Sequence, residues 1–409
     1  MAQMKKQKKS SLSEIKTKAK RLISDSRFLY KVGLAIRALG VIGERRLRSI
    51  MFLAAVTRNW RDKASVIVIG ESASGKSTTV KKTLQLFPPS CVMDRTGISK
   101  QALFYGRGSL NGKILFLTEL KSAQEAQFVI RQSISEGSVE REATNITRRN
   151  TKTVKRSGTP VVLTTATPST KIHPDDLSRF LVAYTSDSSK QTGKIVTSQA
   201  EGKQSPITVD LAMWRAATSF LSPRKGDFEN PPKWLKYVAK QLPLRQVRTR
   251  RDWPRFLAFL HAIAFCRPRP NGGIPLNICF ADYCVGYQIL EPVLAANITQ
   301  LPTEDVQLGQ AVAVLHRRNK RGVTAKELRG HLSWKNSAVY KHITSAVANR
   351  LIKYEPGTRE KNEKRLLPRK NLKKGFLPPP KMVLVKNSEI GKKVKYVDPF
   401  TGKWRTVRR

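Results

Sequence analysis

The sequence predicts an α/β fold: a three-layer core built on a parallel sheet, a helical region after it, and a small winged helix-turn-helix domain towards the C-terminus. Three observations predict it. Four apolar residues, Val66 to Ile69, run straight into Gly70-Glu-Ser-Ala-Ser-Gly-Lys-Ser77, a buried-strand pattern breaking into G-x-x-x-x-G-K-S. Across 63–190, apolar strand patterns alternate with helical ones. Across 303–368, three helical patterns precede a short hairpin, which is winged-helix order.

Taken in order, residues 1–25 are Lys-rich and are expected to form a basic flexible arm, read equally as a solvated tail or a DNA contact. From 26 to 62, apolar residues such as Val32, Ile36, Leu47 and Ile50 recur at helical spacing, a helical lead-in broken near Gly40 and Gly43. The core spans 63–190, with strands expected at 65–69, 114–118, 160–165 and 180–184. Asp187 to Lys203 is polar and reads as a linker or helix lead-in. The helical region occupies 191–300, punctuated by Pro and Gly at 268–275. In 303–368, Asp305 to Arg317 is an amphipathic helix and Thr324-Ala-Lys-Glu327 a capping box opening the second. The third runs from about Lys335 to Leu351, and Ile352 to Leu367 reads as a hairpin with its tip near Pro356 to Asn362. Residues 369–409 form a basic C-terminal tail with a rigid break at Pro378-Pro-Pro380.

Charge narrows the partner. The 409 residues carry 77 Lys and Arg against 29 Asp and Glu, a net charge of +48. Such an excess repels itself unless a polyanion neutralises it, which points to nucleic acid, single- or double-stranded. No apolar run approaches the ~18 residues a membrane span needs, so no membrane partner is expected. The N-terminal Lys cluster lacks the apolar stretch of a secretory signal. Cys91, Cys266, Cys279 and Cys284 have no metal-finger spacing and read as reduced and structural. Together these favour a cytoplasmic protein.

The chemistry centres on the glycine-rich loop. Gly70 and Gly75 let the backbone curl so that its N–H groups face a phosphate, and Ser72, Ala73, Ser74 and Thr78 complete the cradle. Lys76 reaches the β- and γ-phosphates of ATP, the Ser77 hydroxyl holds Mg2+, and the helix that follows adds its N-terminal dipole. Ile114-Leu-Phe-Leu-Thr-Glu119 is the strand expected to end on the group that orients or deprotonates the attacking water, Glu119. A helix cap or an exposed glutamate after a core strand accounts for the same residue. Thr118 stands where an Asp usually touches the metal shell. The strand 160–167 ends in hydroxyls, of which Thr167 is a candidate γ-phosphate sensor; β-propensity explains threonines there equally well. Arg179 lies between Ser178 and Phe180, where oligomeric ATPases place a finger for a neighbour's γ-phosphate.

In this order, the set resembles the AAA+ module of MCM-type replicative helicases, and most the compact MCM-like ATPases of phages and mobile genetic elements. The resemblance covers about 26–300. It implies an AAA+ core with a helical lid, with Gly70 to Ser77 as the P-loop and Glu119 as the catalytic carboxylate. Thr167-Pro168 takes the place of the family's Asn-Pro sensor. Ser178-Arg179-Phe180 matches the finger triplet, and Arg251 (Arg250 as fallback) the sensor arginine opening the lid helix. The family's DNA-gripping hairpin corresponds to 138–156, with Arg148, Arg149 and Lys152 as DNA contacts and Lys155 and Arg156 beyond them. A homo-oligomeric, hexameric ring is implied. The N-terminal OB domain and zinc module of full-length MCM proteins are not recognisable here; a replication partner protein is among the partners considered.

If the third helix of 303–368 enters a groove, Lys335, Asn336, Tyr340 and Lys341 are its DNA-facing candidates. Tyr396 and Trp404, amid C-terminal charges, read as base-stacking residues or as the core of a small hairpin. The sequence therefore predicts a DNA-dependent ATPase that translocates on or unwinds DNA during replication. An ATP-switched DNA-binding initiator, loader or transposition regulator is the alternative, and a non-enzymatic origin-binding protein the third reading.

Overall fold

In the computed structural model, which describes residues 2–106, 108–120, 124–145, 150–170, 172–202, 207–225, 227–244, 246–269, 276–299, 303–348, 351–356, 364–368 and 376–409, three helices precede the sheet: α1 (Ala2–Ile23), α2 (Phe28–Ala38) and α3 (Arg45–Val56). Then come β1 (Val66–Ile69), α4 (Lys76–Leu84), β2 (Val92–Arg95), α5 (Lys100–Tyr105), β3 (Ile114–Leu117) and α6 (Gln124–Glu136). A hairpin follows, β4 (Ser138–Asn145) with β5 (Asn150–Ser157), and then β6 (Val161–Ala166), α7 (Pro174–Arg179) and β7 (Leu181–Tyr184).

The central sheet has the order β2-β3-β6-β1-β7, and every pair in it is parallel. A parallel strand covered on both faces must be apolar throughout, which is why β3 and β6 are buried at every position. Alternate residues enter two separate cores, as the two-residue strand period requires. Val66, Val68, Ile114, Phe116, Val161 and Leu163 face a large core shared with α2 and α3. Ile67, Leu115, Leu117 and Val162 face a smaller one shared with α5 and α6. This order sets the C-terminal ends of β3, β6 and β1 side by side, the edge where open α/β sheets take ligands.

The chain continues through α8 (Ser189–Ala200), α9 (Leu211–Ser219), α10 (Trp234–Lys240), α11 (Thr249–Phe265) and α12 (Phe280–Thr299). Next come α13 (Thr303–Asn319), α14 (Ala325–Leu332), α15 (Asn336–Ala348), β8 (Ile352–Tyr354) and β9 (Leu366–Pro368). These last five share a core of their own, including Leu308, Val312, Leu328, Val339, Ile343 and Leu366. Thr324 caps α14 in a reciprocal box with Glu327, and Val323 bridges to Leu366 beside the β8–β9 pair. The final segment holds α16 (Pro380–Lys386) and a hairpin of β10 (Lys393–Val397) and β11 (Trp404–Arg408).

Three segments differ from their sequence reading. The basic arm is helical from Ala2; Ala19 is fully buried and Leu22 and Ile23 pack on the main core. The polar stretch after Asp187 forms α8, capped by the Ser188 hydroxyl. Residues 376–409 are not a tail. Phe376, Leu377, Val383 and Leu384 belong to the main core, the Tyr283 hydroxyl donates to Pro378 O (2.6 Å), and Glu291 accepts from Leu377 N (2.6 Å). Among the described residues no helix is long and apolar enough to cross a membrane, and no group of His, Cys, Asp and Glu is placed to hold a metal ion. The four cysteines are unpaired, with Cys266 and Cys284 buried.

Candidate functional site

The loop between β1 and α4 is shaped by local backbone demands. Ala73 (φ 62°) and Gly75 (φ 82°) take left-handed conformations, turning the chain into α4 at Lys76. Gly70 is required for a different reason: a Cβ there would lie 1.8 Å from the Thr185 hydroxyl at the end of β7. That hydroxyl donates to Ser74 Oγ (2.9 Å), tying the loop to the sheet edge. The Lys76 ammonium donates to the carbonyls of Gly70 (2.8 Å) and Glu71 (2.6 Å). Burial draws this amine below the ordinary lysine range, opposed by the carboxylates of Glu71 and Glu119.

A cavity of about 740 Å³ opens over this loop, lined by residues 72–78, Glu119, Thr165, Ala166, Thr167, Ser169 and Thr170. Its size suits a nucleotide. Ser72, Ala73, Ser74, Gly75, Lys76, Ser77, Thr78, Glu119 and Thr167 are thus gathered on one cavity from three elements; Gly70 sits behind it. At the far wall the Thr167 hydroxyl bonds Ser169 Oγ (3.0 Å) and Thr170 Oγ1 (2.9 Å). Thr165 Oγ1 donates to the carbonyl of Thr118, fixing the end of β3 beside that of β6. The Thr118 hydroxyl is buried without a hydrogen-bond partner. The donor set fits a triphosphate: a curled loop of N–H groups, a helix N-terminus and one ammonium. For Mg2+, Ser77 and Glu119 offer oxygens on the cavity; the buried Thr118 hydroxyl does not line it.

Arg179 and Arg251 do not line this cavity. Arg179 ends α7 and donates to Ser135 Oγ (3.0 Å) and Asp175 O (3.0 Å). Arg251 in α11 donates to the Ser178 hydroxyl, and Arg255 to the Ser178 carbonyl. Arg248 reaches Phe180 O (3.0 Å) and Asn297 Oδ1 (2.7 Å). Asp252, fully buried, joins Arg248 (2.9 Å) and Arg255 (2.5 Å). Burial lowers the Arg255 guanidinium to about 10, with Asp252 opposing. Arg248, which precedes α11, and Arg251 and Arg255 within it therefore clasp Ser178 and Phe180. Sequence reasoning missed Arg248, Asp252 and Arg255, although their i, i+4 and i, i+3 spacing on a helix was a readable signal.

The DNA-binding candidates fall into two groups. Arg148 and Arg149 lie outside the described residues. Lys152 is on β5, five positions from the register pair Ser138–Ser157 that closes the hairpin base, opposite Ala143. Two cations of the same hairpin have structural partners: Lys155 pairs with Glu140 (3.0 Å), and the buried Arg156 donates to Gly108 O (2.9 Å) and Leu103 O (3.1 Å). In the C-terminal group, Asn336 opens α15 and Tyr340 is exposed. Lys335 and Lys341 line a second cavity of about 830 Å³ between α15, the start of α3 and the start of α8. Lys341 forms an ion pair with Asp187 (3.1 Å) at the surface, and both Lys335 and Lys341 are exposed.

A family model described as the MTBMA_p00010 P-loop domain matches residues 12–217. No curated protein matches the chain. Among solved structures, a full-length MCM homolog from Methanopyrus kandleri is similar at 12% identity with a TM-score of 0.39, over 60% of this chain and 56% of that one. The chain thus spans little more than half the length of that homolog.

Proposed function

The chain belongs to the MTBMA_p00010 P-loop domain family, and from that premise we propose that it is a DNA-dependent ATPase that works as a ring, an MCM-like AAA+ motor of replicative type. The observation that carries the reading is the meeting of Lys76, Ser77 and Glu119 on one cavity while Arg179 lies off it, hydrogen-bonded to Ser135 Oγ and Asp175 O. A finger that cannot serve its own site suits a neighbour's.

In this reading Lys76 leaves the loop carbonyls for the β- and γ-phosphates, and the loop N–H groups and the start of α4 hold the remaining oxygens. Mg2+, when bound through Ser77, supplies the charge that balances the phosphate oxygens. Glu119 accepts a proton from, or orients, the attacking water, and Thr167 hydrogen-bonds the γ-phosphate or that water. Arg179 and Arg251 complete the adjoining subunit's site. The β4–β5 hairpin, with Arg148, Arg149 and Lys152, grips the strand within the ring. Residues 303–368 act as a winged helix that meets duplex DNA through Asn336, Tyr340, Lys335 and Lys341. Both lysines are exposed, and Lys341 would exchange its ion pair with Asp187 for a phosphate.

A second reading, an ATP-switched initiator, loader or transposition regulator that does not unwind, is favoured by Thr118. A hydroxyl beside the metal position slows turnover relative to a carboxylate. One experiment separates the two. ATP hydrolysis is followed with and without single-stranded DNA for the native chain, Glu119→Gln, Arg179→Ala, and a mixture of Lys76→Ala with Arg179→Ala subunits. Strong DNA stimulation, lost in each single variant and partly restored in the mixture, supports the motor. An unchanged rate in Arg179→Ala overturns the shared site, and slow, DNA-indifferent turnover moves the assignment to the switch.

A further inference from the structure

The C-terminal hairpin presents a face for which the ATP site has no use. Residues 391–409 hold seven Lys and Arg against one acid, Asp398. Asp398 is buried and committed inwards: its carboxylate accepts from the backbone N–H of Phe400 (2.9 Å) and Thr401 (3.1 Å) and from Arg405 Nε (3.2 Å). Its backbone N–H donates to Lys403 O (2.9 Å), and its carbonyl accepts from Gly402 N (2.9 Å). Gly402 takes φ 68° and passes so close to Tyr30 that a Cβ would meet the ring at 2.6 Å. The turn joining β10 to β11 is therefore held on several sides.

The register sorts the two faces. Val394 pairs with Val407 and Tyr396 with Arg405; Val394, Tyr396 and Val407 pack on the main core, and Tyr396 Oη accepts from Gln288 (2.9 Å). Lys393 pairs with Arg408, Lys395 with Thr406 and Val397 with Trp404, all on the opposite face. Lys393, Lys395, Trp404, Thr406 and Arg408 are exposed there. Trp404 is 56% exposed, alone among the six tryptophans in being exposed. This resolves the two sequence readings residue by residue: Tyr396 is core, and Trp404 is not.

An indole fixed at the end of a rigid two-stranded face, with three cations and no acid beside it, matches what an unpaired nucleotide offers: a flat base and a phosphate on either side. A duplex keeps its base faces inside the stack and cannot use the ring. We propose that this face binds a single strand of nucleic acid, a base stacking on Trp404 and the flanking phosphates lying along Lys393, Lys395 and Arg408. The face shares no residue with the P-loop cavity, so it stands whether or not the ATPase reading does.

The test uses the full chain without nucleotide and the anisotropy of labelled oligo(dT), oligo(rU) and a blunt duplex. Trp404→Ala is expected to weaken oligo(dT) binding roughly five- to a hundredfold, Trp404→Phe to retain most of it, and duplex binding to change less than about twofold in either. Oligo(dT) should quench tryptophan fluorescence in the native chain and not in Trp404→Ala. Charge reversal at Lys393 and Lys395 should flatten the salt dependence by about 0.7 log unit per lysine. Whichever of oligo(dT) and oligo(rU) binds tighter identifies the strand as DNA or RNA and upholds the face. Native oligo(dT) binding and quenching in Trp404→Ala overturn the proposal. So does an equal loss on duplex, or a loss confined to phosphatidylserine vesicles, which would make the face a membrane contact.

Discussion

At Gly70 and Gly75 the same residue type answers two different needs. Gly75 turns the chain through a left-handed conformation, while Gly70 makes room for Thr185. The first need is local and legible in the motif. The second depends on a residue 115 positions away, which no spacing rule reveals. Lys76, Ser77 and Glu119 were legible because each follows a buried strand within a few positions. Glu119→Gln is expected to leave ATP binding within a few-fold of native while hydrolysis falls about 10²- to 10⁴-fold, checked by nucleotide titration beside steady-state turnover. Thr118 offers a gain-of-function counterpart, since its hydroxyl is buried and has no hydrogen-bond partner. Thr118→Asp is expected to reduce several-fold the Mg2+ needed for half-maximal hydrolysis and to raise the rate. An unchanged Mg2+ profile would mean that this position does not face the metal.

Among elements, strands β1, β3, β6 and β7 were readable because parallel strands buried on both faces are unbroken apolar runs. Edge strand β2 was not, since Val92-Met-Asp-Arg95 has only two apolar residues and stays half exposed. The α11 clasp was missed because its meaning depends on where 178–180 lies. Removing the fully buried Asp252 carboxylate leaves two guanidinium groups without their shared partner, so Asp252→Ala should cost about 3–5 kcal/mol, read by denaturant unfolding. Helix α12 carries a titration of its own. Burial pushes the Glu291 carboxyl up to about 8 from its ordinary 4.5, against the backbone N–H groups of Leu377 and Phe376 that favour its charged form. Because the folded chain holds this proton more tightly, the resulting stability is complete below about pH 4.5, declines as pH rises and is lost above about 8. Glu291→Gln lacks that slope. The melting temperature of the native chain relative to the variant should therefore fall steadily between those limits, and a constant difference would contradict it.

For the whole molecule, the net charge of +48 was the plainest sequence signal, and it forecasts behaviour rather than fold. DNA affinity is expected to drop by about 10³ or more between low and moderate salt if six or more phosphates are neutralised, measured as the slope of log affinity against log salt. The return of 376–409 to the main core was hidden, because a Pro-rich, Lys-rich stretch looks the same whether it wanders or docks; only Tyr283, Glu291 and Gln288, far away in sequence, decide it. That return alters the standing of the unit spanning 303–368. A domain at a free chain end swings like a pendulum, whereas this one is pinned on both sides by segments that belong to one core. The seven residues 369–375 reach at most ~25 Å, and the link from α12 to α13 is shorter still. It is tethered like a span between two abutments, and a single cut in either connector leaves it attached by the other.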